Sequence, residues 1–304
     1  MLTFKKLTKE NFSETEKYFE YELEKQRRHS VRMSDRTPGS VLLWFREYDV
    51  EFAEAGDSVI FYTKTGENEK SYYYPIGKHK KTALKLLGEH MKEQGGCDRV
   101  VAVGEVSLPK MSREFFILEA HASRDMADYL YNKGEFEMPA GRKHHKRKNL
   151  INRFMTEFPD CHFVPFTEDN LKTYYEYYKD YCKRNPESSS VDDMEYRAVS
   201  ALMEDFNFKY FCGGALEAGG ETVGITIGQV YGDTLYVHIE KAEKELAGAY
   251  QTLSRCFAAS IEDKNVKYIN REEDMGIEGL RRSKMAYCPA WLEYKYSMKV
   301  SVEE

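Results

Sequence analysis

The chain has 304 residues, of which 41% are hydrophobic and 32% charged, and its formal net charge is −6. That length exceeds the usual single core and favours two domains, while the negative balance argues against a general nucleic-acid coat and leaves room for a local basic site. No apolar run approaches the ~20 residues that cross a bilayer, and the first residues lack a signal-peptide core, so integral membrane association is not expected. Six cysteines without close pairing fit neither a zinc site nor a disulfide framework, and a reduced, cytoplasmic home is the expectation.

In chain order, residues 2–7 read as a short strand and 11–26 as a helix. Residues 58–63 and 71–76 alternate as strands around a glycine-containing hairpin loop at 64–70. Residues 79–94 carry Ala83, Leu86, Leu87 and Met91 at helical spacing, with Lys78, His79, Lys80 and Lys81 as the polar start of a surface helix. Short strands follow at 100–103 and 115–118, then a basic helix at 142–158. The later part reads as a strand at 161–165 and helices at 171–183 and 194–203. A strand meander follows at 211–217, 222–230 and 234–240. A helix at 249–261, a strand at 266–269, a short helix at 277–285 and a last strand at 291–300 close it. Each half thus reads as helix, antiparallel strands, then strand–helix–strand. The expected domains are 1–158, including the basic linker helix, and 159–304, with the active cleft.

Two stretches, HIEKAEKELAGAYQTLSRCF (238–257) and NREEDMGIEGLRRSKMAYCP (270–289), resemble a bacterial family of tandem GNAT-like proteins. That family is grouped with the C-terminal domain of phosphatidylglycerol lysyltransferase and, more distantly, with the Fem peptidyltransferases. LYNKGEFEMPAGRKHHKRKNLINRF (130–154) extends the likeness. The resemblance implies an α+β fold of two tandem GNAT-like domains, each a mixed sheet flanked by helices. It implies transfer of an acyl or aminoacyl group from an activated donor, aminoacyl-tRNA or acyl-coenzyme A, to an amine or hydroxyl. No tightly bound cofactor, no metal and no sequence-specific nucleic-acid binding are expected. A non-catalytic module that binds an anionic ligand or a partner protein is the alternative.

In that fold the turn at 242–250 aims backbone N–H groups at a cofactor pyrophosphate, which assigns Gly248 and Ala249 to cofactor binding. Glu245 and Tyr250 depart from the pattern, and an ordinary strand–helix turn is the competing reading. Along their strand, His238 and Glu240 share a face by the period of two; His238 is read as substrate-binding or as a core histidine, and Glu240 as a cleft acid. In the 270–274 run, Asn270, Arg271 and Asp274 are candidate substrate contacts and Glu273 a candidate base, against an alternative in which Asp274 caps the next helix. The resemblance places Lys284 where a cation stabilises the reacting carbonyl and Tyr287 where a phenol acts as general acid, against a solvated helix-end lysine and a packed ring. Arg142, Lys146 and Arg147 form a basic strip for donor phosphates, or a solvated amphipathic face.

Overall fold

The computed structural model describes residues 2–26, 31–65, 69–186 and 189–302; residues 66–68, inside the expected hairpin loop, lie outside the described residues. The chain divides into two compact units, Met1–Asp128 with Glu293–Glu304, and Tyr129–Leu292. This is not the division expected near Phe158. The basic helix His145–Glu157 lies wholly within the second unit.

Among the described residues the first unit holds an eight-stranded sheet in the order Lys5–Lys6, Glu51–Glu54, Ser58–Thr65, Glu69–Tyr73, Cys97–Val103, Tyr296–Ser301, Phe116–Ala122, with Ile76–Gly77 paired to Ser58–Thr65. Glu69–Tyr73 and Cys97–Val103 run parallel, which requires a crossover, and helix Lys80–Glu93 provides it. Its buried residues Ala83, Leu84, Leu87 and Met91 recur at helical spacing and join Tyr72, Val100 and Met298 in one core. Lys80 is not a solvated start to this helix: its ammonium meets the buried Glu22 at 2.7 Å, and Arg36 meets the same carboxylate at 2.9 Å. Burial alone would raise the Glu22 pKa, but the two cations outweigh it and hold the group at about 2.

The second unit holds a seven-stranded sheet in the order Trp291–Glu293, Asp128–Asn132, Tyr268–Asn270, Thr234–Ala242, Glu221–Tyr231, Cys212–Ala218, His162–Pro165. Its parallel pair, Thr234–Ala242 with Tyr268–Asn270, is bridged by helix Ala249–Ser260, whose Leu253 and Phe257 are buried. Gly228 admits this packing: a Cβ there would sit 2.4 Å from the Tyr236 carbonyl and 3.0 Å from the Phe257 ring.

The last strand expected at 291–300 is split. Trp291–Glu293 stays in the second sheet, whereas Tyr296–Ser301 lies between Cys97–Val103 and Phe116–Ala122 in the first. Asp128–Asn132, not foreseen as a strand, supplies the second sheet from the opposite half of the sequence. Where the chain leaves the first unit, Asp128 is fully buried and accepts from the Ser34 N–H at 2.6 Å and from the Lys295 ammonium at 2.7 Å. Lys295 also meets Asp35 at 2.6 Å.

Candidate active site in the second unit

The parallel register of Thr234–Ala242 and Tyr268–Asn270 ends where Tyr236 faces Asn270. Past that rung, side chains join the two segments: Arg271 pairs with Glu240, and Glu272 with His238. His238 is the extra residue of a β-bulge, because Ile227 faces Ile239 and the next residue, Gly228, faces Val237. Bulges re-aim side chains. Here the imidazole is 0% exposed, edge-on to Phe211, with Nδ1 2.8 Å from Glu272 Oε1. A carboxylate oxygen accepts, so Nδ1 carries the hydrogen of this bond, and in the neutral imidazole Nε2 is then the nitrogen with the lone pair. Nε2 is buried and has no partner among the described residues.

Glu272 takes left-handed backbone with φ 56°, a conformation that costs a residue with a side chain about 1–2 kcal/mol. The loop is anchored from several sides. Asn270 Oδ1 accepts from the Glu272 N–H at 2.7 Å, and the Tyr129 N–H donates to the Glu272 carbonyl at 3.2 Å. The Lys284 ammonium donates to the carbonyls on both sides of Glu272, those of Arg271 (2.6 Å) and Glu273. Lys284 is 7% exposed and is therefore not a solvated helix end; its two bonds clamp the loop. Asp274 is engaged in the same way, accepting from the Tyr129 hydroxyl (2.5 Å), the Gly276 N–H (2.9 Å) and Arg281 (2.8 Å). Burial pushes the Asp274 pKa up, yet these bonds more than offset it and hold the carboxyl well below its usual range. With its lone pairs engaged it is not presented to a substrate amine, and the residue that caps the next helix is Ile277. Glu273 is half-buried and Asn270 fully buried, the latter bound into the Glu272 turn.

A second cluster surrounds Tyr287, whose ring stacks on Phe136 at 5.2 Å. The Arg271 and Arg147 guanidinium carbons lie 4.5 and 5.0 Å from the Tyr287 ring centre. Burial raises the Tyr287 pKa against the opposing Arg271 charge, so the phenol keeps its proton. Ser254, on helix Ala249–Ser260, donates to Glu240 at 2.5 Å. Arg147 is 6% exposed and its Nη2 donates to the Glu135 carbonyl, while its Nε and Nη1, and Nη1 of Arg271, have no partner among the described residues. Buried donors left without a partner each cost about 1–3 kcal/mol. Burial accordingly presses the Arg147 pKa down, whereas at Arg271 Glu240 outweighs burial and raises it.

Arg142 and Lys146 are exposed, together with Asn149 and Arg153, on the outer face expected of the basic helix; Arg147 turns inward. Gly248 has φ 100° and caps helix Ala249–Ser260, but a Cβ there would lie 2.3 Å from the Leu150 oxygen and 3.0 Å from Phe154. Ala249 is fully buried and its N–H donates to the Leu246 carbonyl at 3.0 Å. The backbone approaches helix His145–Glu157 at this turn, on the side where a Gly248 Cβ would project. Among the described residues no group of three or more His, Cys, Asp or Glu side chains could hold a metal, and no helix is long and apolar enough to cross a membrane.

Sequence reasoning missed Glu272, the histidine's partner, and Ser254, Phe136 and Glu135. Glu272 stood inside the polar run already singled out. The Tyr-Leu-Tyr run at 129–131, rich in β-formers, was the available signal for the missed strand.

Residues 27–299 match the family described as phosphatidylglycerol lysyltransferase, C-terminal. The chain belongs to this family. Among solved structures, a Bacteroides thetaiotaomicron protein of unknown function is 28% identical with a TM-score of 0.88, covering 99% of this chain and 100% of that one. The phosphatidylglycerol lysyltransferase family fold recurs in L-PGS from Bacillus licheniformis, at 12% identity and a TM-score of 0.65 over 97% of this chain and 92% of that one. FemX and a tandem GNAT protein of clavulanic acid biosynthesis share the fold at TM-scores of 0.57 and 0.50, with 10% and 9% identity, covering 97% and 100% of this chain and 96% and 99% of theirs. The α+β, tandem GNAT-like architecture expected from the sequence therefore holds. A curated relative, an uncharacterized Mycoplasmoides gallisepticum protein, is 22% identical over 57% of this chain, and the match spans 56% of that relative's length.

Proposed function

We propose that this chain transfers an aminoacyl group from aminoacyl-tRNA to an amine or hydroxyl acceptor, at the end of the parallel strand pair in the second unit. The observation that carries this reading is the bulged His238, with Nδ1 fixed by Glu272 and Nε2 buried and unpartnered. In this mechanism Nε2 takes the proton from the acceptor as it attacks the ester carbonyl, and Glu272 stabilises the imidazolium that forms. The protonated Tyr287 phenol then supplies the proton to the departing ribose oxygen. Lys284 acts indirectly, by holding the strained residue that orients the base.

Two features favour a tRNA-linked donor over coenzyme A. The turn departs from the phosphate-binding pattern at Glu245 and Tyr250, and Gly248 packs its backbone against Leu150 and Phe154. The exposed Arg142, Lys146 and Arg153 offer a basic strip suited to a polynucleotide backbone. The second reading, a non-catalytic module for an anionic ligand, is favoured by that same departure, and it predicts binding without turnover.

The test is transfer of radiolabelled amino acid from a panel of charged tRNAs to amine and hydroxyl acceptors, lipids included. Transfer is expected for at least one donor, with His238→Gln slower by about 10²–10⁴-fold, the range for a general base. No transfer from any donor would favour the binding module, and unchanged turnover in His238→Gln would remove the histidine from the chemistry.

A further inference from the structure

The chemistry just proposed makes no use of the unpartnered donors on Arg147 and Arg271. Both guanidinium carbons lie within 5.0 Å of one ring centre, that of Tyr287, and Arg147 also lies 4.9 Å from the Phe136 ring centre. The charges around them do not balance. Arg271 has Glu240 as its carboxylate, whereas the interaction Arg147 makes is with a main-chain carbonyl. The nearby Glu135 carboxylate, which acts on the Arg147 charge from a distance, is bonded to Lys143 at 2.6 Å. Of the two guanidinium groups, Arg271 alone is bonded to a carboxylate among the described residues. Aromatic faces suit a weakly hydrated guanidinium but do not neutralise it, and buried charges ordinarily stand beside a counter-charge.

We propose that Arg147 and Arg271, held against Tyr287, form a subsite for one oxyanion of the substrate, a carboxylate or a phosphate. Arg147 Nε and Nη1 and Arg271 Nη1 are the donors that would engage it. Arg271 keeps 11% of its side-chain surface exposed, while the three donor nitrogens themselves are buried. Because Arg271 also holds Glu240, the anion settles beside the segment that carries the His238–Glu272 pair. The substrate is then one whose anionic group lies close to its reacting centre: a phosphate ester, or an acidic amino acid bearing a side-chain carboxylate. Calling the ligand a substrate rests on the transferase reading. The binding does not, and it is measured without turnover, so either idea can fail alone.

The experiment is isothermal titration of the full chain with inorganic phosphate, glycerol 3-phosphate and L-glutamate, at fixed ionic strength. At least one probe is expected to bind wild-type protein, with affinity at least tenfold lower in Arg147→Met. Tighter binding of the two phosphates identifies a phosphate ester, and tighter binding of glutamate an acidic amino acid. If Arg147→Met does not fold, Arg147→Lys replaces it, since lysine keeps the charge and loses the planar fork; weakened binding is expected there too. Absence of heat from all probes up to millimolar concentration in the wild type overturns the proposal, as does equal affinity in the folded variant.

Discussion

Lys284 is a buried cation bound to the backbone of the site loop. Its ammonium bridges the carbonyls of Arg271 and Glu273 and so fixes the left-handed Glu272 between them. Lys284→Met should therefore destabilise the protein by about 3 kcal/mol, because two buried carbonyls lose a charged donor. Thermal or chemical denaturation measures this directly. A variant that melts like wild type yet transfers slowly would return Lys284 to the reacting carbonyl. At this scale the sequence singled out two stretches that the structure brings together, the polar run 270–274 after a strand and the 284–287 stretch at a helix end. Ranking Glu272, Glu273 and Asp274 was beyond it. Their roles depend on a positive φ at Glu272 and on anchors from distant residues such as Tyr129, which local composition does not encode.

Among the elements, the two glycines flanking the site make opposite predictions. Gly248 combines φ 100° with contact to the Leu150 carbonyl, so Gly248→Ala incurs both backbone strain and overlap and should cost about 3 kcal/mol. Gly279 lies in helix Glu278–Ala286 with nothing near its absent Cβ, so Gly279→Ala should stabilise by roughly 0.5–1 kcal/mol. Urea denaturation of both variants checks the pair; a tolerated alanine at 248 would mean that the turn can open away from helix His145–Glu157. Long elements with a clear period were legible, as the helix expected at 171–183 and found at Leu171–Arg184 demonstrates. Some short ones were not. Helix Pro38–Trp44 rests on a Thr37 cap and buried neighbours, and helix Lys133–Glu137 spans little more than a turn, too short for any hydrophobic period to register.

On the scale of the whole molecule, the repeat of architecture was readable but the division of the chain was not. A break near Phe158 follows from the order of elements along the sequence, whereas each sheet takes a strand from the far part of the chain. Pairing partners so distant leave no mark in a local window. Removing residues 293–304 should consequently abolish cooperative unfolding of the first unit, since Tyr296–Ser301 is hydrogen-bonded on both sides. A peptide of those residues added in trans should restore it in part. Unchanged cooperativity after truncation would show that Cys97–Val103 and Phe116–Ala122 can close the gap without it.

The same strand sets an order of events during synthesis. Cys97–Val103 and Phe116–Ala122 leave the ribosome early, but the strand that joins them emerges only after the entire second unit has been made. Until then both expose unpaired edges, the kind of surface that chaperones bind and that aggregates when they do not. Of the two units the first is begun earlier and completed later, so during synthesis the vulnerable edges are those of residues 97–122.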